Sequence, residues 1–212
     1  FKCEIFIMDS TGVETDRYRK RRRALRIGSE REFIKLHVLE GYSREAGLVP
    51  VAAARVTRDY AHDSPQLERL LDDFHGKCEP LLADSAYYSR NNIDLVREHG
   101  LRPVIKPKAF KPGKLWRALA ERDFEKDREL YRMRGVGEAP FGGFAVRYGS
   151  QTRCRLPQTR KVDSLLMAVA HNLRTYARAR ATKMVEVFYF IRIIRQPPFL
   201  SFHAWVISAP RF

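Results

Sequence analysis

The chain has 212 residues, 44% of them hydrophobic and 31% charged, which allows one sizeable core and excludes wholesale disorder. Its 40 Lys+Arg against 25 Asp+Glu leave a formal net charge of +15, a field that favours polyanions, of which nucleic acid is the commonest. Three widely spaced cysteines, with no CxxC and no His/Cys cluster, exclude a structural zinc site and a disulfide framework and fit a reducing, cytoplasmic setting.

The charge is regional. Residues 101–183 hold 20 basic and 7 acidic side chains, whereas residues 41–100 hold 7 basic and 10 acidic. The polyanion-facing surface is therefore expected from the second half of the chain. Glu4 and Asp9 exclude a signal-peptide apolar core. The longest uncharged run, Gln196 to Pro210, is shorter than the roughly 18 residues of a membrane span and holds three prolines.

In chain order, "CEIFIMDSTG" (3–12) reads as a strand that ends at Asp9 and a Ser-Thr-Gly turn. "DRYRKRRR" (16–23) reads as a basic loop edge. A β-hairpin follows, with Phe33–Val38 as one strand, Gly41–Gly47 as the turn and Val49–Val56 as the return. Ser64 and Pro65 open a helix that puts Leu67, Leu70, Leu71 and Phe74 on one face. "EPLLADSAYY" is a short apolar strand, and Ser89 caps a helix that Gly100 stops. "RPVIKPK" is one more strand. A long polar helix is expected over Lys114–Glu138, then an amphipathic one over Val162–Arg180 with Leu165, Leu166, Val169, Leu173 and Tyr176 on its apolar face. This order implies an α/β fold, a mixed sheet with helices on its faces, in which functional side chains collect at strand ends.

Asp9 and Asp84 both fall at expected strand ends. Two carboxylates at neighbouring strand ends suit a hard divalent cation such as Mg²⁺, and a third acid is needed to hold two ions for in-line phosphoryl chemistry. In "YRMRGVGE", Tyr131, Arg134 and Glu138 share one face of the expected long helix. They combine a phenol, a phosphate-matching guanidinium and an acid. Each residue also has a plainer reading: a lone Asp at a strand end is usually a turn former or cap, and a lone helix Glu is usually solvated. Lys106, Lys108, Lys111 and Lys114 either contact phosphates or merely keep a loop soluble.

These motifs, over residues 3–180, resemble the DDE transposases of prokaryotic insertion sequences, whose catalytic domain has an RNase H-like fold. "IFIMDSTGV" looks like the first-Asp strand, and "REFIKLHVLEGYSREAGLVPVAAARVTRDYAHDSPQL" is similar to the next two strands and the helix start after them. "LLADSAYYSRNN" looks like the second-Asp motif. "YRMRGVGE" is similar to the third-acid pattern Tyr-x2-Arg-x3-Glu-x6-Lys, and "AVAHNLR" resembles the closing helix with its His-Asn pair.

The resemblance implies Asp9, Asp84 and Glu138 as catalytic, metal-binding carboxylates for two Mg²⁺ (or Mn²⁺) ions. It implies DNA contacts near the cut from Tyr131 and Arg134; along the DNA path, the basic loop lysines Lys106, Lys108, Lys111 and Lys114 remain either phosphate contacts or solubilising charges. The activity implied is DNA cleavage at transposon ends by activated water, then strand transfer into target DNA, without a covalent intermediate on Ser10 or Tyr87. The partners are DNA ends and target, and no membrane; a homodimer is compatible with this, as is a nucleoid-associated, cytoplasmic location.

The pattern's final Lys falls at Ala145, with Arg147 two places on as a substitute contact, about 200° round a helix. Gly135, Gly137, Pro140, Gly142 and Gly143 are expected to end the long helix near Glu138. The expected organisation is an RNase H-like catalytic domain over residues 1–181, without the N-terminal DNA-binding region usual in the family, then an extension over 182–212. The alternative function is a catalytically degenerate, truncated remnant that only binds DNA; a general RNase H-like nuclease is a third reading.

Overall fold

A computed structural model describes residues 3–15, 33–45, 47–58, 61–74, 79–108, 114–152, 154 and 156–181. The basic run at 16–23, Lys111 and the extension over 182–212 lie outside the described residues. Five strands form one sheet: β1 (Ile5–Glu14), β2 (Phe33–Tyr42), β3 (Val51–Arg58), β4 (Pro80–Ala83) and β5 (Arg102–Ile105), in the order β3-β2-β1-β4-β5. β2 is antiparallel to β1 and to β3, whereas β4 and β5 run parallel to β1. This is the mixed α/β sheet of the RNase H-like fold expected above.

Helices cover both faces. Phe6, Met8, Leu39, Leu81 and Ile105 alternate onto one face and pack with Leu67, Leu70 and Leu71 of α1 (Gln66–Asp72) and Ile93 and Val96 of α2 (Arg90–Glu98). Ser64 makes no cap: α1 begins at Gln66 after Pro65 without a side-chain cap, and Ser64 Oγ accepts from Asn92 Nδ2 at 2.8 Å instead, but the next start and stop are as expected. Ser89 accepts the Asn92 N–H at 3.1 Å as the α2 cap, and Gly100 takes φ 73°, a conformation that favours glycine at a helix end. The other face packs Ile7, Leu82 and Val104 with Phe124 of α3 (Leu115–Lys126). It also packs Leu36, Val38 and Ala54 with Phe144 of α5 (Glu138–Tyr148) and Met167 and Ala168 of α6 (Pro157–Ala181).

Three expectations need correction. β1 does not stop at Asp9. It runs through Ser10, Thr11 and Gly12 to Glu14, because β2 pairs with it along its whole length, while β4 leaves after Met8↔Ala83. The long helix over Lys114–Glu138 is three pieces: α3, a short α4 (Arg128–Tyr131) and a 3₁₀ stretch over Arg132–Gly137. The reason lies at Gly137, where the segment approaches the sheet so closely that a Cβ would stand 2.6 Å from Ile7 Cγ2 and 2.7 Å from Glu40 Oε2. The glycine-rich stretch also fails to end the helical path at Glu138. Glu138 begins α5, so Pro140 falls in a first turn, where a missing N–H costs nothing.

The apolar face assigned to α6 is the third. Leu166, Leu173 and Tyr176 are exposed, and the helix buries Ser164, Ala168, Asn172, Thr175 and Ala179 instead. Small and polar groups win because α6 docks on the backbone at the start of edge strand β3. Asn172 accepts from Val51 N at 2.8 Å and donates to Val51 O at 2.7 Å, and His171 Nε2 donates to Val49 O at 2.7 Å. Unpaired backbone groups at a sheet edge are costly when covered, and these two side chains satisfy them. Among the described residues, no helix is long and apolar enough to cross a membrane.

Candidate functional site

β1 and β4 place the first two acids. Met8 and Ala83 are register partners in neighbouring parallel strands, so Asp9 and Asp84 are the next residue on each, about one strand spacing (~4.8 Å) apart in backbone position. At Asp84 the chain turns into a 3₁₀ turn (Ser85–Tyr87), and the carboxylate accepts the Ala86 N–H at 2.7 Å. The cap reading of Asp84 is thus true, and it fixes the carboxylate beside Asp9. Asp9 accepts the Ser10 N–H at 2.9 Å. Burial raises its pKa, with Arg134 opposing and the charge of Asp84 adding to the rise. A cation at this spot is therefore electrostatically favoured.

The structure puts a cation there: the Arg134 guanidinium. Its Nη2 donates to Asp9 Oδ2 at 2.8 Å, and its Nη1 stands 3.7 Å from Glu138 Oε1. The 3₁₀ stretch delivers Arg134 from above the sheet, and Glu138 follows at the first turn of α5. Glu138 is 68% exposed and joins Asp9 through Arg134. Among the described residues, no three His, Cys, Asp or Glu side chains stand together as a metal-holding group.

Tyr131 leans on Phe124 edge-on, ring centroids 5.2 Å apart, and its pKa is raised by burial, opposed by Arg134, with Asp84 and Asp9 adding to the rise. The phenol and the guanidinium are therefore neighbours of the Asp pair, whereas the motif spacing pointed only to Tyr131, Arg134 and Glu138 on one helical face. A broken helix, rather than a continuous one, brings them together.

The expected basic contacts divide. Lys106 donates its backbone N–H to Ala83 O at 3.1 Å, which places it at the same sheet edge as Asp84. Lys108 and Lys114 flank residues 109–113, which lie outside the described residues together with Lys111. Arg147 is not brought to the acids. Its guanidinium folds back over Gly143, and its charge acts on His171, whose pKa is lowered chiefly by burial.

Two groups close to this centre escaped the sequence reading. One is a paired acid: Asp63, just before α1, accepts from Lys35 Nζ at 3.1 and 3.2 Å and from Ser10 Oγ at 3.0 Å. His37 Nδ1 stands 3.3 Å from Asp63 Oδ1, within ion-pair range although not aligned as a hydrogen bond. His37, with Lys35 and Ser10, holds the Asp63 carboxyl down to about 2 against the opposing effect of burial. Through Ser10, this node steadies the residue next to Asp9.

The other is Glu40 on β2, fully buried, with both carboxyl oxygens lacking a hydrogen-bond partner. Burial raises its pKa well above the usual carboxylate range, with the charge of Asp9 adding to it and Arg134 opposing. A signal existed in the alternation: Leu36, Val38 and Glu40 are spaced by two, so Glu40 shares their face. Tyr87, which the transposase resemblance excluded as a nucleophile, has a buried hydroxyl without a partner. Its pKa is raised well above the usual range, first by burial and then by Asp63, Asp9 and Asp84.

No curated protein matches the chain. The model of the family described as "Transposase DDE domain" matches residues 2–173. That span takes in Asp9 and Asp84, the Arg134–Glu138 segment and the His-Asn pair of α6. The chain belongs to the transposase DDE domain family.

Proposed function

We propose that the chain is a metal-dependent transposase that cuts DNA at transposon ends and joins the freed ends to a target. One observation carries this reading: Asp9 and Asp84 follow paired residues on two parallel strands, with an arginine from the helical layer bridging Asp9 towards Glu138. Membership of a transposase family implies DNA as the substrate, and a net charge of +15 suits it.

DDE transposases generally use divalent metals, and the neighbouring Asp9 and Asp84 suit one, whereas Glu138 stands apart with Arg134 between it and Asp9. The acids are hard oxygen ligands, and Asp9 already attracts a positive charge. Asp9, Asp84 and Glu138 are the residues that would hold two Mg²⁺ or Mn²⁺ ions. Bound ions would lower the pKa of attacking water and stabilise charge at the phosphorus. Asp9 and Asp84 supply carboxylates held in place by backbone N–H groups, and Glu138 would join them from the exposed start of α5. Arg134 and Tyr131 orient the phosphodiester, the guanidinium by paired N–H donation and the protonated phenol by one O–H donor. Lys106, Lys108, Lys111 and Lys114 are proposed phosphate contacts along the DNA path, with Arg147 as a further DNA contact.

The test is cleavage of DNA bearing the element's ends in Mg²⁺ or Mn²⁺. Asp84→Ala is expected to lower the rate at least about a thousandfold, ~4 kcal/mol, because an acid that holds the ion is lost. Equal rates for wild type and Asp84→Ala would overturn the proposal. Salt-sensitive DNA binding with no metal-dependent cutting would instead identify a binding remnant.

A further inference from the structure

A buried carboxyl with no donor is costly to keep, and Glu40 has two oxygens in that condition. Its neighbourhood makes the cost informative. Ile7 is its register partner on β1 and Asp9 lies two residues further along, so Glu40 and Asp9 project from the same face of the sheet. The β2–β3 register shifts between Leu39 and Glu40, a local irregularity of the kind that re-aims a side chain near functional sites. Gly137 then comes down so close that a side chain there would collide with Glu40 Oε2.

Arg134 lies three residues before Gly137 in the 3₁₀ stretch. Residues three apart eclipse in that helix, so Arg134 stands above Gly137 and, through it, above Glu40. The guanidinium shows the complementary deficit. Nη2 is on Asp9 and Nη1 near Glu138, but Nε is buried and has no acceptor. One interior therefore holds an unmatched donor and an unmatched carboxyl that feel each other's charge.

We propose that Glu40 is a positioning residue, the alternative partner that takes the Arg134 guanidinium once the charge of Asp9 is engaged or removed. The cation-binding step rests on the function proposed above. The exchange itself is a property of three side chains of this chain. A divalent ion held by Asp9 would compete with the guanidinium for Oδ2 and displace it. Without Glu40 it swings to solvent and its order is lost. With Glu40 it pivots about Nε and stays over the site, where its Nη groups face a phosphate. The carboxyl carbonyl oxygen accepts an N–H whether or not the acid is ionised, so the pivot needs no change of protonation. An apolar side chain at position 40 would fill the same space without this use.

The experiment follows the Arg134 Nε–H signal by NMR in the full chain carrying ¹⁵N-arginine, assigned by its loss in Arg134→Lys. Asp9→Ala, or Asp9→Asn should the first variant not fold, removes the competing carboxylate without any metal. The signal is expected to move downfield and to exchange more slowly with water. Adding Glu40→Met, close in volume, is expected to abolish both changes, a dependence that a merely space-filling Glu40 would not produce. An unmoved signal in the Asp9 variant, or the same movement with and without Glu40, overturns the proposal.

Mg²⁺ added to the wild type is expected to reproduce the displacement, with about tenfold weaker Mg²⁺ binding in Glu40→Met. A Glu40-dependent displacement in the Asp9 variant with no response to Mg²⁺ upholds the Arg134–Glu40 exchange. It counts instead against the divalent-cation reading of the site.

Discussion

Two acids near the centre of the sheet, Asp63 on the face of α1 and α2 and Glu40 on the face of α3 to α6, are treated in opposite ways. Asp63 has Lys35 and Ser10 as donors and the His37 ring beside it, and its carboxyl is held down to about 2. Glu40 is more deeply buried, has no donor, and its pKa is driven up by that burial. A partnered carboxylate stabilises a fold, and an orphaned one burdens it. The first face thus uses its acid to lock Ser10 beside Asp9. The second tolerates an acid, a glycine in close approach and a 3₁₀ break, all within one turn of Arg134.

This contrast can be broken at three points. The largest effect belongs to Asp63. Its folded pKa of about 2 lies below the ordinary Asp value of about 3.9. Its contribution is therefore fully present above pH ~4 and is lost as pH falls towards 2. It amounts to about 2 kcal/mol, a figure already lowered for partial exposure of the ion pair. Urea titrations between pH 5 and 2 are expected to show this loss in the wild type and a flatter profile in Asp63→Asn. Identical profiles would mean that the node is not energetically coupled.

Gly137→Ala comes next. Its methyl meets Ile7 and Glu40 at distances no real Cβ shows, and overpacking of this kind costs roughly 1–2 kcal/mol. Thermal unfolding should report the loss, and Glu40→Ala in the same chain should relieve part of it, because one of the two obstacles is removed. Strict additivity of the two substitutions would place Gly137 elsewhere than against Glu40.

The smallest effect has the opposite sign. Glu40→Met replaces an unpaired buried acid by an apolar side chain and is expected to gain about 1 kcal/mol in chemical denaturation at neutral pH. The Asp63 counterpart, Asp63→Met, would lose stability. A loss in both would erase the distinction between the two faces.

The sequence carried much of this. Strand alternation, the Ser89 helix start and the Gly100 stop depend on contacts within a few residues, so they were legible one segment at a time. Asp84 was legible as a strand end, since the apolar run stops just before it, whereas β1 runs on past Asp9 because β2 pairs with it as far as Glu14. The α6 apolar stripe misled because Leu166, Leu173 and Tyr176 do obey helical periodicity. The hydrogen bonds of His171 and Asn172 to the β3 backbone turn another side inward.

What the sequence alone determined is the parts and their order: five strands, the helices between them, and three acids with an arginine at family spacing. Tertiary structure decided which partners those groups have. Arg134 reaches Asp9 across 125 positions of chain, and Glu40 is orphaned because Gly137 lets a 3₁₀ turn down onto β1 and β2. Local propensity has no term for such distances. Whether a buried charge is paired depends on backbone that arrives from far along the chain, and only the packed fold supplies it.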